Sequence, residues 1–213
     1  MTTTENTTIE KTVPTQQYNN LQAAYDYFNE KLFDGTLANC LLTFGRDVKK
    51  CRGYFHSEQW ENGDKKCHTI SLTPSHLNRP LDAVLSTLVH EMVHLWQQDF
   101  GKASRNGYHN KEWGTKMKEI GLYPSSTGED GGAETGQAVS HYVIPGGAYI
   151  EAFKNIPDHV SLPWIGVNGS TKGKKAAASK IKYTCLGCEA NAWGKPDLNI
   201  QCGDCFQTME EVG

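Results

Sequence analysis

Between Leu81 and Trp96 the chain sets His90-Glu91-Met92-Val93-His94 inside an apolar run, and no other stretch limits the fold so tightly. Residues four apart lie on one face of an α-helix, so both imidazoles can reach one ion while Glu91 stands beside the ion's open position. Leu81, Val84, Leu85, Leu88, Val89 and Leu95 give that helix a broad apolar face; Pro80 suits its first turn, and Asp82 favours its dipole. Two imidazoles and a carboxylate therefore sit in a mostly buried helix. Without an ion or hydrogen-bond partners their burial is costly. The arrangement is the starting chemistry of a zinc peptidase.

A catalytic zinc needs three protein ligands and one open position. The compact pattern HExxHxxGxxH is excluded, because Gln97 stands in its glycine slot and Phe100 where its third histidine would fall. Three candidates for the third ligand remain: His109 in a returning loop, and Glu112 and Glu119 on the helical pattern that follows. The approach through Gly107-Tyr108 lets the backbone turn inward and favours His109, with Glu112 then orienting a ligand from behind. His56, His68, His76, His141 and His159 stand singly; His141-Tyr142 is the pair to consider as a donor to a tetrahedral oxyanion.

A second constellation lies near the C-terminus. Cys185-Leu-Gly-Cys188 and Cys202-Gly-Asp-Cys205 are separated by thirteen residues, the spacing of a closed structural zinc site. A module of this size has little core of its own and owes its fold to the ion. Two metal ions per chain are thus expected, one catalytic and one structural. The other thiols, Cys40, Cys51 and Cys67, read as small buried hydrophobes.

The remaining chain supplies a scaffold of helices and short strands. Residues 1–15 are threonine-rich and lack apolar periodicity, which predicts a disordered tail. Helical spacing from Gln17 to Phe33 ends at Asp34-Gly35, and three β-type runs follow at Leu41 to Phe44, Gly53 to His56 and His68 to Leu72. They predict a small antiparallel sheet with a turn at Asn62-Gly63-Asp64, whose exposed edge could hold an extended polypeptide. Trp113, Met117 and Ile120 predict a helix stopped by Gly121. Tyr123 to Gly136 reads as a long surface loop, either a lid or a tolerated insertion. Val139 to Ile144 reads as a strand, and Tyr149 to Phe153 as a further short element.

From Gly166 to Lys182 the composition shifts to Gly, Ser, Ala and Lys. Lys172, Lys174, Lys175, Lys180 and Lys182 face no acidic residue there, so this linker can touch phosphate or simply stay solvated. The boundaries that result are a tail over 1–15, a catalytic domain over 16–165, a basic linker over 166–182 and a zinc ribbon over 183–210. Whole-chain charge is −3 and gives no general sign of nucleic-acid binding. No run approaches the roughly 20 apolar residues of a membrane span, and the N-terminus lacks a signal-peptide pattern. Together with the paired thiols, this predicts an intracellular, cytoplasmic monomer with no membrane partner.

With these residues assembled, the chain resembles the SprT-like metallopeptidases, the Spartan-related family, and in particular its bacterial and phage-type members that carry a C-terminal ribbon. The resemblance runs through Asn29…Leu32-Phe33, the HExxH at 90 to 94, Gly107-Tyr108-His109…Glu112-Trp113, and the ribbon from Tyr183 to Cys205. It implies an α+β fold, a minimal zincin with a small antiparallel sheet packed on helices. It also implies His90, His94 and His109 as zinc ligands, Glu91 as catalytic base and DNA-attached proteins as substrates. Single-stranded DNA is the expected nucleic-acid partner, with Trp193 either stacking on a base or covering the ribbon core. The rival expectation is a nucleic-acid-binding ribbon protein whose zincin part is an inactive scaffold.

Overall fold

Pro14 in the first turn and a run of Leu21, Ala24, Tyr25 and Phe28 on one face make helix α1 (Val13–Phe33). It takes in three residues assigned above to the tail, because Pro14 is preorganised for a helix start. At its other end Asp34 adopts a left-handed conformation, φ 54°, and Gly35 N–H bonds back to the Asn29 carbonyl. The Asn29 side chain then holds both backbone groups of Leu37, donating to its oxygen at 3.2 Å and accepting from its nitrogen at 3.1 Å. This clamp aims the chain into the first strand.

The computed structural model describes residues 12–46, 51–105, 107–166 and 180–212. The tail up to residue 11 and the lysines at 172, 174 and 175 lie outside them. The chain divides into two compact units, Met1–Val167 and Asn168–Gly213.

In the first unit β1 (Leu41–Phe44), β2 (Gly53–Asn62) and β3 (Lys65–Leu72) form one sheet in the order β1-β3-β2. The β2–β3 hairpin is antiparallel as expected, turning at Gly63 with φ 61°. β1 is not: it runs parallel to β3, pairing Leu41 with Thr69 and Phe44 with Leu72. β3 holds the buried end of the sheet, Thr69 to Leu72, and so takes the middle. β2 is antiparallel and β1 parallel to β3, so the two outer strands run in opposite senses. β2 is consequently an edge.

Helix α2 (Leu81–Phe100) lies against β2 and β3, with α1 and α3 (Lys111–Glu119) beside it. Val84, Leu85, Leu88, Val89, Met92, Val93 and Leu95 are all buried in one core with Phe28, Ile70 and Trp113. The helix outruns the apolar stretch by one polar turn, Gln97 to Phe100, in which only Gln97 is buried. Although 20 residues long, it is no candidate span; among the described residues no helix is long and apolar enough to cross a membrane.

β4 (Leu122–Ser125) pairs antiparallel with β5 (Ser140–Val143), setting Pro124 opposite His141. Its sequence reads as loop because proline cannot donate to a ladder, yet a two-stranded ribbon has free edges on which proline fits. Helix α4 (Ala148–Lys154) closes this unit, its Tyr149 stacked on Phe28 at 5.5 Å.

The second unit is a three-stranded antiparallel ribbon, β6 (Ile181–Thr184), β7 (Asn191–Gly194) and β8 (Glu210–Val212), in the order β7-β6-β8. Its buried apolar cluster amounts to Tyr183, Cys185, Cys202 and Met209.

Asn29→Ala removes two part-buried hydrogen bonds to one peptide and should cost about 1–3 kcal/mol. A drop in the urea midpoint at unchanged slope would show it.

Candidate metal centres

His90 and His94 project from the same side of α2, and the loop after that helix returns His109 to them. The three offer ring nitrogens that all lie within 4.8 Å of one another. Glu112 and Glu119 are not in this cluster: Glu112 accepts from Lys102 N–H and Gln97, and Glu119 pairs with Lys116 near the surface.

The last turn of α2 builds the loop's return. Buried Gln97, in the slot where compact zincins carry glycine, donates to Asn110 Oδ1 at 2.8 Å and to Glu112 Oε2 at 2.7 Å. Asn110 Oδ1 also accepts from Trp113 N–H, capping α3. A Cβ at Gly101 would stand 2.7 Å from Glu112 Oε2, so a side chain where the loop leaves the helix would press on the carboxylate that holds the loop. His109 is then fixed from the far side. Its backbone exchanges two hydrogen bonds with Gly136, and its Nδ1 lies 3.1 Å from the Gly136 carbonyl. The stretch from Tyr123 to Gly136 is therefore more than a tolerated insertion.

Burial sets the protonation of these groups. Desolvation, followed by the neighbouring His141, His94 and His109, drives His90 well below the usual histidine range. Desolvation likewise lowers His94 to about 3 and pulls His109 down. All three imidazoles are neutral at pH 7 and keep lone pairs for an ion. His94 Nε2 and His109 Nε2 stand 3.2 Å apart, close to the ~3.4 Å between two nitrogens bound tetrahedrally to one zinc. The donor set fits zinc in both charge and spacing.

The ring of Trp113, fully buried, backs all three imidazoles at centroid distances of 4.9, 5.2 and 4.3 Å. Glu91 is 5% exposed, and burial pushes its carboxyl up to about 8 against the opposing pull of the Phe55 N–H. These groups open into a cleft of about 760 Å³, walled on one side by residues 51–57, mainly of the β2 edge, and on the other by Ser126, Thr127 and residues 137–141.

A SprT-like family model matches residues 21–130. The chain belongs to the SprT-like family. Over 43 residues it is also 51% identical to a Salmonella typhimurium protein described as an uncharacterized protein in the mucB 3' region. That alignment covers 20% of this chain and 57% of the Salmonella protein, so the chain spans little more than half of that relative's length. No solved structure matches.

Three contributions to this SprT-like site escape sequence reasoning: the Gly136 carbonyl, the Trp113 ring and the partnership of His141 with His90. His141 lies on β5 with its Nδ1 3.1 Å from His90 Nδ1 and its Nε2 2.9 Å from Ser86 Oγ. Both ring nitrogens are engaged, which removes it as an oxyanion donor. Of the other single histidines, His68 pairs with Asp99 at 3.2 Å, His56 reaches the cleft wall and His159 is exposed. Cys40, Cys51 and Cys67 are half-buried free thiols.

In the ribbon, Cys185, Cys188, Cys202 and Cys205 bring their sulfurs within 4.8 Å of one another. The two CxxC turns share one build: Glu189 N–H bonds the Cys185 carbonyl, and Phe206 N–H bonds the Cys202 carbonyl. The residue after each second cysteine is left-handed, Glu189 at φ 59° and Phe206 at φ 56°. Such turns aim N–H groups at sulfur. The amides of Cys205 and Asp204, helped by the Cys188 thiol, lower Cys202 to about 7. The Cys188–Cys202 sulfur separation of 3.5 Å is near the ~3.8 Å of a tetrahedral zinc thiolate pair. The cluster is consistent with a zinc ribbon.

Glu91 has a testable electrostatic signature in protein stripped of metal. A carboxyl raised to about 8 in the folded state binds a proton that the unfolded chain releases near 4.5, so its burial destabilises the fold increasingly as pH rises between those values. Glu91→Gln should thus gain stability over the unsubstituted chain by up to about 1.4 kcal/mol per pH unit across that window. Equal stabilities at pH 5 and pH 8 in urea titrations would contradict the assignment.

Proposed function

We propose that this chain is a zinc-dependent endopeptidase acting on DNA-associated proteins. The observation that carries the reading is a set of three neutral imidazoles converging beside a buried carboxyl in a cleft open along a sheet edge. His90, His94 and His109 would hold the ion. Bound there, zinc supplies a Lewis acid and lowers the pKa of water toward about 7.

The chain's own groups do the rest. β2 is an edge strand whose residues 53–57 line the cleft, so an extended polypeptide can lie along it by backbone hydrogen bonds. Glu91, as the carboxylate beside the ion, takes the proton from the attacking water and passes it to the leaving amine nitrogen. Trp113 keeps water from the back of the imidazoles. Glu91→Gln should retain zinc at the histidine site and lose at least about 100-fold in casein cleavage. Undiminished cleavage would refute the reading.

The DNA side rests on the second unit. Its described residues carry three lysines against five carboxylates, so any basic charge for phosphate comes chiefly from Lys172, Lys174 and Lys175. Trp193 does not cover the ribbon core; it is 64% exposed on β7, opposite Lys182. An exposed indole beside lysine favours unpaired bases, whose faces it can stack on. In the full chain, Trp193→Ala should weaken single-stranded DNA binding by about 1–3 kcal/mol. Replacing the five lysines between 172 and 182 by glutamine should flatten a log K against log salt slope that otherwise approaches about −3.5. Fluorescence anisotropy reads both, and unchanged affinity and slope would exclude this mode of engagement.

A further inference from the structure

We propose that His141 and Ser86 are positioning residues that fix the tautomer of His90 and so present its Nε2 lone pair to the ion. The inference rests on the zinc reading above.

The direction of the hydrogen-bond chain follows from its last member. Ser86 Oγ lies 3.2 Å from the Ala83 carbonyl, which can only accept, so the serine proton points there. Ser86 Oγ is left to accept from His141 Nε2, at 2.9 Å. A neutral His141 with its proton on Nε2 has a bare Nδ1, and that atom faces His90 Nδ1 at 3.1 Å. His90 must therefore donate from Nδ1, and its Nε2 carries the lone pair. One backbone carbonyl thus sets the polarity of three consecutive bonds.

The surroundings hold His141 to this part. Ser86 precedes His90 by four residues and shares its face of α2, and His141 enters from β5 to meet both. His109 has an equally uncharged partner in the Gly136 carbonyl. A carboxylate behind either ligand would donate more electron density; imidazole and carbonyl orient the ligands and leave the ion more of its charge.

Two measurements on the zinc-loaded full chain test this. Long-range nitrogen–proton spectra of the imidazoles should show His141 protonated at Nε2 with bare Nδ1, and His90 protonated at Nδ1. A His141 protonated at Nδ1 would overturn the proposal. Chelator competition should show His141→Phe weakening zinc at the histidine site by about 10–100-fold while the four-cysteine site is unchanged. His141→Gln, which can accept from His90 and donate to Ser86, should recover most of that loss. Unaltered zinc affinity in a folded His141→Phe chain would equally overturn it, and if that variant does not fold, the tautomers of the unsubstituted chain decide alone. A chain that binds no zinc at its histidines refutes the proposed function; zinc bound as tightly without His141 refutes only this inference.

Discussion

Everything in the first unit answers to the burial of ionisable groups on one helix. α2 carries two imidazoles and a carboxyl into the core, where charge is expensive, and the rest of the unit makes that burial tolerable. β2 supplies an N–H for Glu91, β5 supplies the partner of His90, and α3 supplies the indole behind all three histidines. The loop from β4 supplies the carbonyl behind His109. A fold of short strands suffices because β2, β5, α3 and the loop from β4 each bring one specific group to this cluster, while α1 and β3 pack the core beneath it.

Much of this was legible in the sequence, for identifiable reasons. The α2 helix announces itself through the 3.6-residue recurrence from Val84 to Leu95, and the ligand pair through its spacing within that helix. The glycine approach at Gly107 pointed to His109, and the CxxC spacing pointed to the sulfur cluster, because both are local patterns. What escaped was long-range. Gly136 acts through its carbonyl, which has no side-chain signature, and His141 becomes a partner of His90 only when β4 and β5 pair. The parallel sense of β1 was hidden for the same kind of reason, since strand direction depends on which strand takes the middle.

Substituting for the glycine of compact zincins changes how the third histidine of the cluster is reached. Here a glutamine side chain spans from α2 to Asn110 and Glu112, so a hydrogen-bonded network does what a tight turn does in a shorter loop. The longer excursion allows the returning chain to pair with Gly136 as well, and His109 is thereby held from two directions. That arrangement links the cleft wall after Ser126 directly to the histidine cluster.

The two cysteine turns of the ribbon impose a different discipline. Glu189 and Phe206 occupy left-handed backbone that costs an ordinary side chain roughly 1 kcal/mol or more and survives only where the surroundings over-determine it. With so few buried apolar residues, those surroundings are chiefly the sulfur cluster itself. Once the sulfurs are no longer gathered, both turns relax in the same direction and neither can hold the other. An ion held by all four sulfurs would tie both turns together, so that its release and the loss of strand pairing would come as one cooperative event.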